Sequence, residues 1–295
     1  TDKTGTLTED KIVLEKYLDV MGNEDFRVLK HAFLNAYFQT GLKSNIDEAV
    51  IKRGIEHGLD EISTKYVKVD EIPFDFSRRR LSIIVNDGTK TQLITKGAVE
   101  EILNICTLVD YKGKVEPITN SIKENIKKIT KELNKQGLRV VAVCQKNDLN
   151  KTEEFNVSDE KNMVLIGFIG FLDPPKETAK SSIEKLGKNG IRVIVLTGDN
   201  VEVTRCVCDK VGIKSNRIVT GAQIDKLADQ GLKRLLKKTN IFAKLSPIQK
   251  ARIVRLLRDN GNVVGYMGDG INDSPSLVNS DVGISVDTAV DIAKE

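Results

Sequence analysis

Long apolar runs are what this sequence most plainly lacks. The longest covers residues 163–172, about half of the ~20 residues that a membrane-spanning helix requires. Nothing at the start reads as a signal peptide. An excess of charge of one sign is also missing: 46 basic residues against 42 acidic ones leave +4, which gives no reason to propose nucleic acid as a partner. The four cysteines, Cys106, Cys144, Cys206 and Cys208, have no metal-ligand spacing. Cys206 and Cys208 fall on an expected helix, where residues two apart point to different sides, so they do not chelate together. Reduced thiols in a cytosolic compartment is the default reading. The two histidines, His31 and His57, are isolated and are assigned no role.

What is present is an ordinary globular composition, 40% hydrophobic and 30% charged with 22 Gly and 6 Pro. At 295 residues the chain is long for one compact unit, and two domains are expected.

In chain order, residues 11–20 read as a strand, and residues 26–38 carry apolar side chains at helical spacing. Residues 47–55 read as a short helix closed by Gly58. Residues 65–72, 81–86 and 91–95 read as strands, with Asp87-Gly88 as a hairpin turn. Ile122, Ile126, Ile129 and Leu133 line one face of a Lys-rich helix that Gly137 ends. That helix is either a membrane-surface helix or, the preferred reading, a packed helix with a solvated basic face. Residues 140–144 and 163–172 are strands, separated by a polar surface loop over residues 147–162. This half is α+β, with an antiparallel sheet carrying helices.

From Asp173 the pattern changes to helices alternating with short apolar strands at residues 193–196, 218–220, 241–243, 263–267 and 282–286. Such alternation predicts a doubly wound parallel sheet. T-G-D-N (Thr197 to Asn200) and G-D-G-I-N-D (Gly268 to Asp273) each follow a strand directly, and carboxyl ends of parallel strands converge on a ligand crevice. The opening string T-D-K-T-G-T-L-T is expected there too. Residues 1–10 and 173–295 then form one domain, and residues 11–172 are an insertion whose return is stiffened by Asp173-Pro174-Pro175.

Several residues carry candidate chemistry. Asp2, among small hydroxyl-bearing and glycine residues with one cation beside it, suits phosphoryl chemistry: its carboxylate can attack phosphorus while backbone N–H groups and hydroxyls hold the oxygens. Asp269 and Asp273, four apart at a strand-to-helix turn, offer hard oxygen ligands for Mg²⁺; Asp273 alone could equally cap a helix. Thr197 and Gly198 sit at a helix start, where anions are stabilised, and a plain capped helix is compatible with that. Lys250, in P-I-Q-K, taken alone reads as a solvated helix lysine. In I-P-F-D-F-S-R-R-R-L-S and T-K-G-A, an aromatic can stack on adenine, and Lys96 beside Gly97 combines a cation with close backbone approach.

These strings, in this order, resemble the P-type cation-transporting ATPases over essentially the whole chain, with T-D-K-T-G-T-L-T similar to their phosphorylation signature. F-D-F-S-R-R-R, L-D-P-P-K-E-T and Y-M-G-D-G-I-N-D-S-P-S-L look most like the bacterial magnesium-transporting members. The resemblance implies a haloacid dehalogenase-like phosphorylation domain with an inserted nucleotide-binding domain. It implies that Asp2 takes the γ-phosphate of ATP, that Lys250 neutralises transition-state charge, and that Thr197 and Gly198 hold phosphoryl oxygens. Asp2, the Thr4 carbonyl and Asp269 would hold Mg²⁺, with Asp273 and Asn272 in support. Phe74 aligns with the adenine-stacking aromatic, with Phe76 as its competitor, and Arg79 with the cation that follows. Arg139 is expected at the phosphates, Asp199 near the ribose and Asp47 near adenine. Soluble phosphatases of the wider superfamily carry a second Asp two positions after the nucleophile; here that position is Thr4, so nothing in the motif activates water and the acyl-phosphate is expected to persist. The chain begins one residue before Asp2, so the strand that delivers the nucleophile is expected outside it. The chain reads as an excised cytosolic fragment, its partners being ATP and, in the intact pump, its own membrane helices and actuator domain.

Overall fold

The computed structural model describes residues 1–9, 11–41, 43–147, 149, 154–214, 217–268 and 273–285. The chain forms two compact units. One, here the terminal unit, comprises Thr1–Lys11, Asn134–Gly137 and Asp173–Glu295; the other, the central unit, comprises Ile12–Leu133 and Leu138–Leu172.

The central unit opens with β1 (Val13–Leu18), α1 (Phe26–Phe38), α2 (Asn45–Glu56) and α3 (Leu59–Ser63). It continues with β2 (Val67–Asp75), β3 (Arg80–Asn86), β4 (Thr91–Ala98), α4 (Val99–Ile105), β5 (Cys106–Tyr111) and β6 (Lys114–Pro117). Then come α5 (Asn120–Lys135), β7 (Leu138–Asn147) and β8 (Met163–Leu172). Among the described residues these strands make an eight-stranded sheet in the order β2-β3-β4-β7-β8-β5-β6. β1 pairs with residues 168–172 of β8, and β5 runs parallel to the other end of β8. All other pairings are antiparallel, so the unit is mixed α/β with an antiparallel-rich sheet.

Both faces of this sheet are covered, which explains strand sequences that do not alternate apolar with polar. Ile83, Ile94, Ile169 and Phe171 pack with Leu29 and Phe33 of α1 and Val50 of α2. Their neighbours Ile84, Leu93 and Phe168 pack on the opposite face with Ile102 of α4 and Ile126 of α5. The Lys-rich helix α5 is therefore a packed helix, with Ile126, Thr130 and Leu133 buried. Ser44 caps α2, closing a reciprocal pair of bonds with Asp47. The helix expected over residues 47–55 thus starts earlier, and Gly58, with φ 72°, opens α3. β2 runs past its expected end to Asp75 and carries Phe74. β5, β6 and α4 occupy a stretch for which the sequence offered no clear period.

In the terminal unit, helices α6 (Ala179–Lys188), α7 (Val201–Lys210), α8 (Gly221–Asp225), α9 (Asp229–Leu236), α10 (Pro247–Asp259) and α11 (Ser274–Val278) alternate with short strands. These are β9 (Val195–Leu196), β10 (Val219–Thr220), β11 (Ile241–Ala243), β12 (Gly265–Gly268) and β13 (Val282–Ser285). They form a parallel sheet β10-β11-β9 and a parallel pair β12-β13. Thr1 and Asp2 are hydrogen-bonded to both: Leu196 N–H donates to Thr1 O at 3.0 Å and Asp2 N–H to Met267 O at 2.9 Å. The carboxyl ends of β9, β11 and β12 and the side chain of Asp2 therefore belong to one end of the strands. Among the described residues no helix is long and apolar enough to cross a membrane.

Candidate functional site

In the terminal unit the strand ends bring Asp2, Lys250 and Asp273 together from three distant points of the chain. Ser246 and Gln249 form a capping box that starts α10, with Pro247 in its first turn. Lys250 lies one turn in and is buried, so the solvated-lysine alternative is not realised. Its ammonium donates to Asp2 Oδ1 at 2.8 Å and to Asp273 Oδ1 at 2.9 Å. Asp273 occupies the cap position of α11 but makes no cap bond; besides Lys250, its carboxylate takes the Tyr266 hydroxyl at 2.8 Å. Burial strongly raises the Tyr266 pKa, so the phenol remains a donor.

Two carboxylates share one cation in a buried place. Burial pushes the Asp2 carboxyl above the ordinary aspartate value; Lys250 pulls it down and Asp273 pushes it further up. Burial alone would lower the Lys250 pKa, but Asp2 and Asp273 outweigh it and raise the value. The arrangement supplies a carboxylate nucleophile, a fixed cation beside it and a second hard-oxygen donor. That donor chemistry fits Mg²⁺, an ion that takes carboxylates together with phosphate oxygens and water. Asp269 and Asn272, expected to contribute here, lie outside the described residues.

A second network holds the loop after Asp2. Lys3, only 1% exposed, bridges Asp199 at 2.6 Å and Asp173 at 3.3 Å. Thr8 donates its hydroxyl to Asp173 at 2.7 Å, and Lys176 donates to Gly5 O at 2.6 Å. Thr4 is half-buried in the turn these contacts fix. Asp199 is thus ion-paired with Lys3. Thr197 is buried, and its hydroxyl accepts the Asp199 N–H at 3.2 Å. Gly198 follows Thr197, and Asn200 caps α7 by accepting from Val203 N–H.

The central unit carries the other expected residues on β2, the β2–β3 turn, β4, β7 and α2. Phe74 is 51% exposed and Phe76 87%; their rings meet edge to face at 5.3 Å. Lys96 is buried and forms an ion pair with Asp47. Burial lowers the Lys96 pKa, and Asp47 works against that. The Asp47 carboxylate also caps α2 through Ser44, so it is occupied. Gly97 is required by a close backbone approach, though the approaching backbone is the protein's own. A Cβ there would lie 2.6 Å from both Arg79 O and Arg80 Cβ. Arg79 is half exposed, takes φ 49° and has Glu101 and Glu100 at 3.9 and 4.0 Å. Arg139 is half-buried on β7, opposite Phe171 of β8.

One residue that sequence reasoning missed is Glu160, from the stretch expected to be a surface loop. Residues 148 and 150–153 of that stretch lie outside the described residues; Phe155 and Glu160 are buried. The Glu160 carboxylate receives Arg78 at 2.9 Å, Arg80 at 2.6 Å and the Ser82 hydroxyl at 2.7 Å. A lone Glu in a polar run carries no signal of this.

Sequence comparison decides the family. A family model described as "P-type ATPase, cytoplasmic domain N" matches residues 36–178. The whole chain is 48% identical to magnesium-transporting ATPase, P-type 1, of Escherichia coli K12 over 296 residues. The chain belongs to the P-type ATPase family. A Salmonella typhimurium magnesium-transporting ATPase, P-type 1, is 47% identical over 296 residues. Calcium-transporting ATPase 1 of Bacillus cereus is 30% identical over 314. All of this chain is covered in each case, against 33%, 33% and 35% of those P-type ATPases. The chain spans about a third of the length of the curated relatives it matches.

Proposed function

We propose that this chain is the ATP-binding and self-phosphorylating part of an ion-transporting P-type ATPase, with the terminal unit as its haloacid dehalogenase-like phosphorylation domain and the central unit as the inserted nucleotide-binding domain. The observation that carries the proposal is the convergence of Asp2, Lys250 and Asp273, with the ammonium 2.8 and 2.9 Å from the two carboxylates. Asp2 attacks the γ-phosphorus of ATP; the bond from phosphorus to the bridging oxygen breaks, and ADP leaves. Lys250 offsets charge on the transferring group, and Thr197 and Gly198 receive its oxygens. Mg²⁺, held by Asp2, the Thr4 carbonyl and Asp269 with Asp273 in support, supplies charge neutralisation when bound. Thr4 stands where a second carboxylate would activate water, so the phosphorylated Asp2 persists and steady ATP turnover is weak. This favours a pump over a soluble phosphatase.

In the central unit, adenine stacks on the exposed aromatic pair of the β2–β3 turn. The greater exposure of Phe76 favours it as the platform, with Phe74 as its edge-on brace. Lys96, Gly97, Arg79 and Arg139 lie toward the nucleotide, with Asp47 holding Lys96. Asp199, as a further nucleotide contact near the ribose, would have to share its carboxylate with Lys3.

The cargo proposed is magnesium, supported by 48% identity to a magnesium-transporting relative against 30% to a calcium-transporting one; calcium or another cation is the alternative. In the intact protein the units face the cytosol beneath membrane helices, and an actuator domain removes the phosphate. An ATP titration followed by NMR tests the nucleotide site. Signals of Phe74, Phe76, Lys96 and Gly97 are expected to move together and saturate; ATP leaving all of them in place would refute the assignment.

A further inference from the structure

We infer that Glu160 is a positioning residue that sets the aromatic turn for nucleotide before the nucleotide arrives. The inference rests on the nucleotide-binding reading of the central unit and deepens it. The turn joins β2 to β3, and its last residue is tied to β4 by the Ala98 N–H, which donates to Arg79 O at 3.0 Å; two sets of side-chain contacts hold the rest. Internally, Asp75 accepts the backbone N–H groups of Ser77 and Arg78 at 2.8 and 2.9 Å and also takes the Ser77 hydroxyl. Arg79, in the left-handed region at φ 49°, returns its N–H to Asp75 O. These bonds shape the turn but do not anchor it to the rest of the unit.

Glu160 supplies the anchor. Its side chain is fully buried, and both oxygens take Arg78 Nη1 at 2.9 Å while Arg80 Nε reaches one of them at 2.6 Å. Arg78 lies in the turn and Arg80 opens β3 directly after it, and Arg78 also donates to Pro73 O at 2.6 Å, next to Phe74. The Ser82 hydroxyl donates to Glu160 at 2.7 Å and lies 2.7 Å from the hydroxyl of Thr95. One carboxylate therefore connects F-D-F-S-R-R-R-L-S to T-K-G-A, the two strings expected to meet nucleotide. A mostly exposed aromatic on an unanchored turn would have to be ordered on binding; anchoring removes that cost from the affinity.

The test compares the wild-type chain with Glu160→Gln and Ser82→Ala by ATP titration, thermal melting and NMR of the arginine side chains. In the wild type, the guanidinium signals of Arg78 and Arg80 are expected to be resolved and slow to exchange. In Glu160→Gln they merge and the ATP Kd rises about tenfold in the protein that remains folded. Ser82→Ala, which removes one bond and leaves the carboxylate in place, raises Kd about two- to threefold. A purely structural carboxylate would lower the melting temperature and leave the Kd of the folded protein unchanged. Wild-type affinity in folded Glu160→Gln would overturn the inference. If that variant does not fold, wild-type affinity in Ser82→Ala would overturn it, as would averaged guanidinium signals in the wild type. A wild type that binds no ATP, with those signals still resolved, refutes the nucleotide-binding reading and leaves the anchor itself standing.

Discussion

Two carboxylates buried around one ammonium are stable only as a set. Removing one partner of a buried ion pair leaves a desolvated charge and costs about 3–5 kcal/mol. Lys250→Met keeps the length and apolar stem of the side chain, so the loss it produces reports on the charge. In metal-free buffer at pH 8 a fall of roughly 3 kcal/mol in unfolding free energy is expected, read by chemical denaturation. Without the cation, the folded-state pKa of Asp2, already raised by burial, rises further above the unfolded value. The deficit is then fully present at high pH and shrinks as pH falls through that raised folded value. Melting curves of variant and wild type should accordingly converge as the buffer is acidified; a gap that widens on acidification would contradict this account of the site. Lys250 also marks what one residue can reveal in a sequence: its place after Pro247 was visible, but its burial came from the contacts of α10. Asp273 was readable as cap or ligand, and its geometry excludes the cap bond.

At the scale of elements, the β2–β3 turn and β4 depend on one another. Arg80 lies opposite Gly97, and Ala98 N–H donates to Arg79 O at 3.0 Å. Gly97→Ala would force its new methyl into that backbone carbonyl, with Arg79 already at positive φ. Overpacking of this kind costs about 1–3 kcal/mol. The expected outcome is that loss, together with weakened ATP binding and displaced amide signals at residues 79–80; unaltered signals there would show that the contact is not tight. The long elements were legible because pattern and packing agree: α1 has a helical period, and β8 is apolar along its length since both sheet faces are buried. The stretch from α4 to β6 was not, because β5 is held in the sheet by β8, a parallel partner that lies far along the chain. Glu160 escaped for the same reason. Its polar surroundings suggested solvent, and only the fold brings Arg78, Arg80 and Ser82 to it.

Across the whole chain, motifs spaced far apart in sequence meet at the ends of short strands. Thr1 and Asp2 bond through their backbone to β9 and β12, α10 contributes Lys250, and the turn into α11 contributes Asp273. No single string reveals this meeting, although the alternation of helix and strand after Asp173 suggested that the motifs share one end of a sheet. The claim on which the functional reading depends is that Asp2 accepts phosphorus and keeps it. Incubation with Mg²⁺ and γ-³²P-ATP, followed by acid quench, tests it most directly. The account predicts one acid-stable, hydroxylamine-labile label per chain, lost in Asp2→Asn, with little free phosphate released over many minutes. Label that resists hydroxylamine, or brisk phosphate release with nothing retained on Asp2, would contradict it.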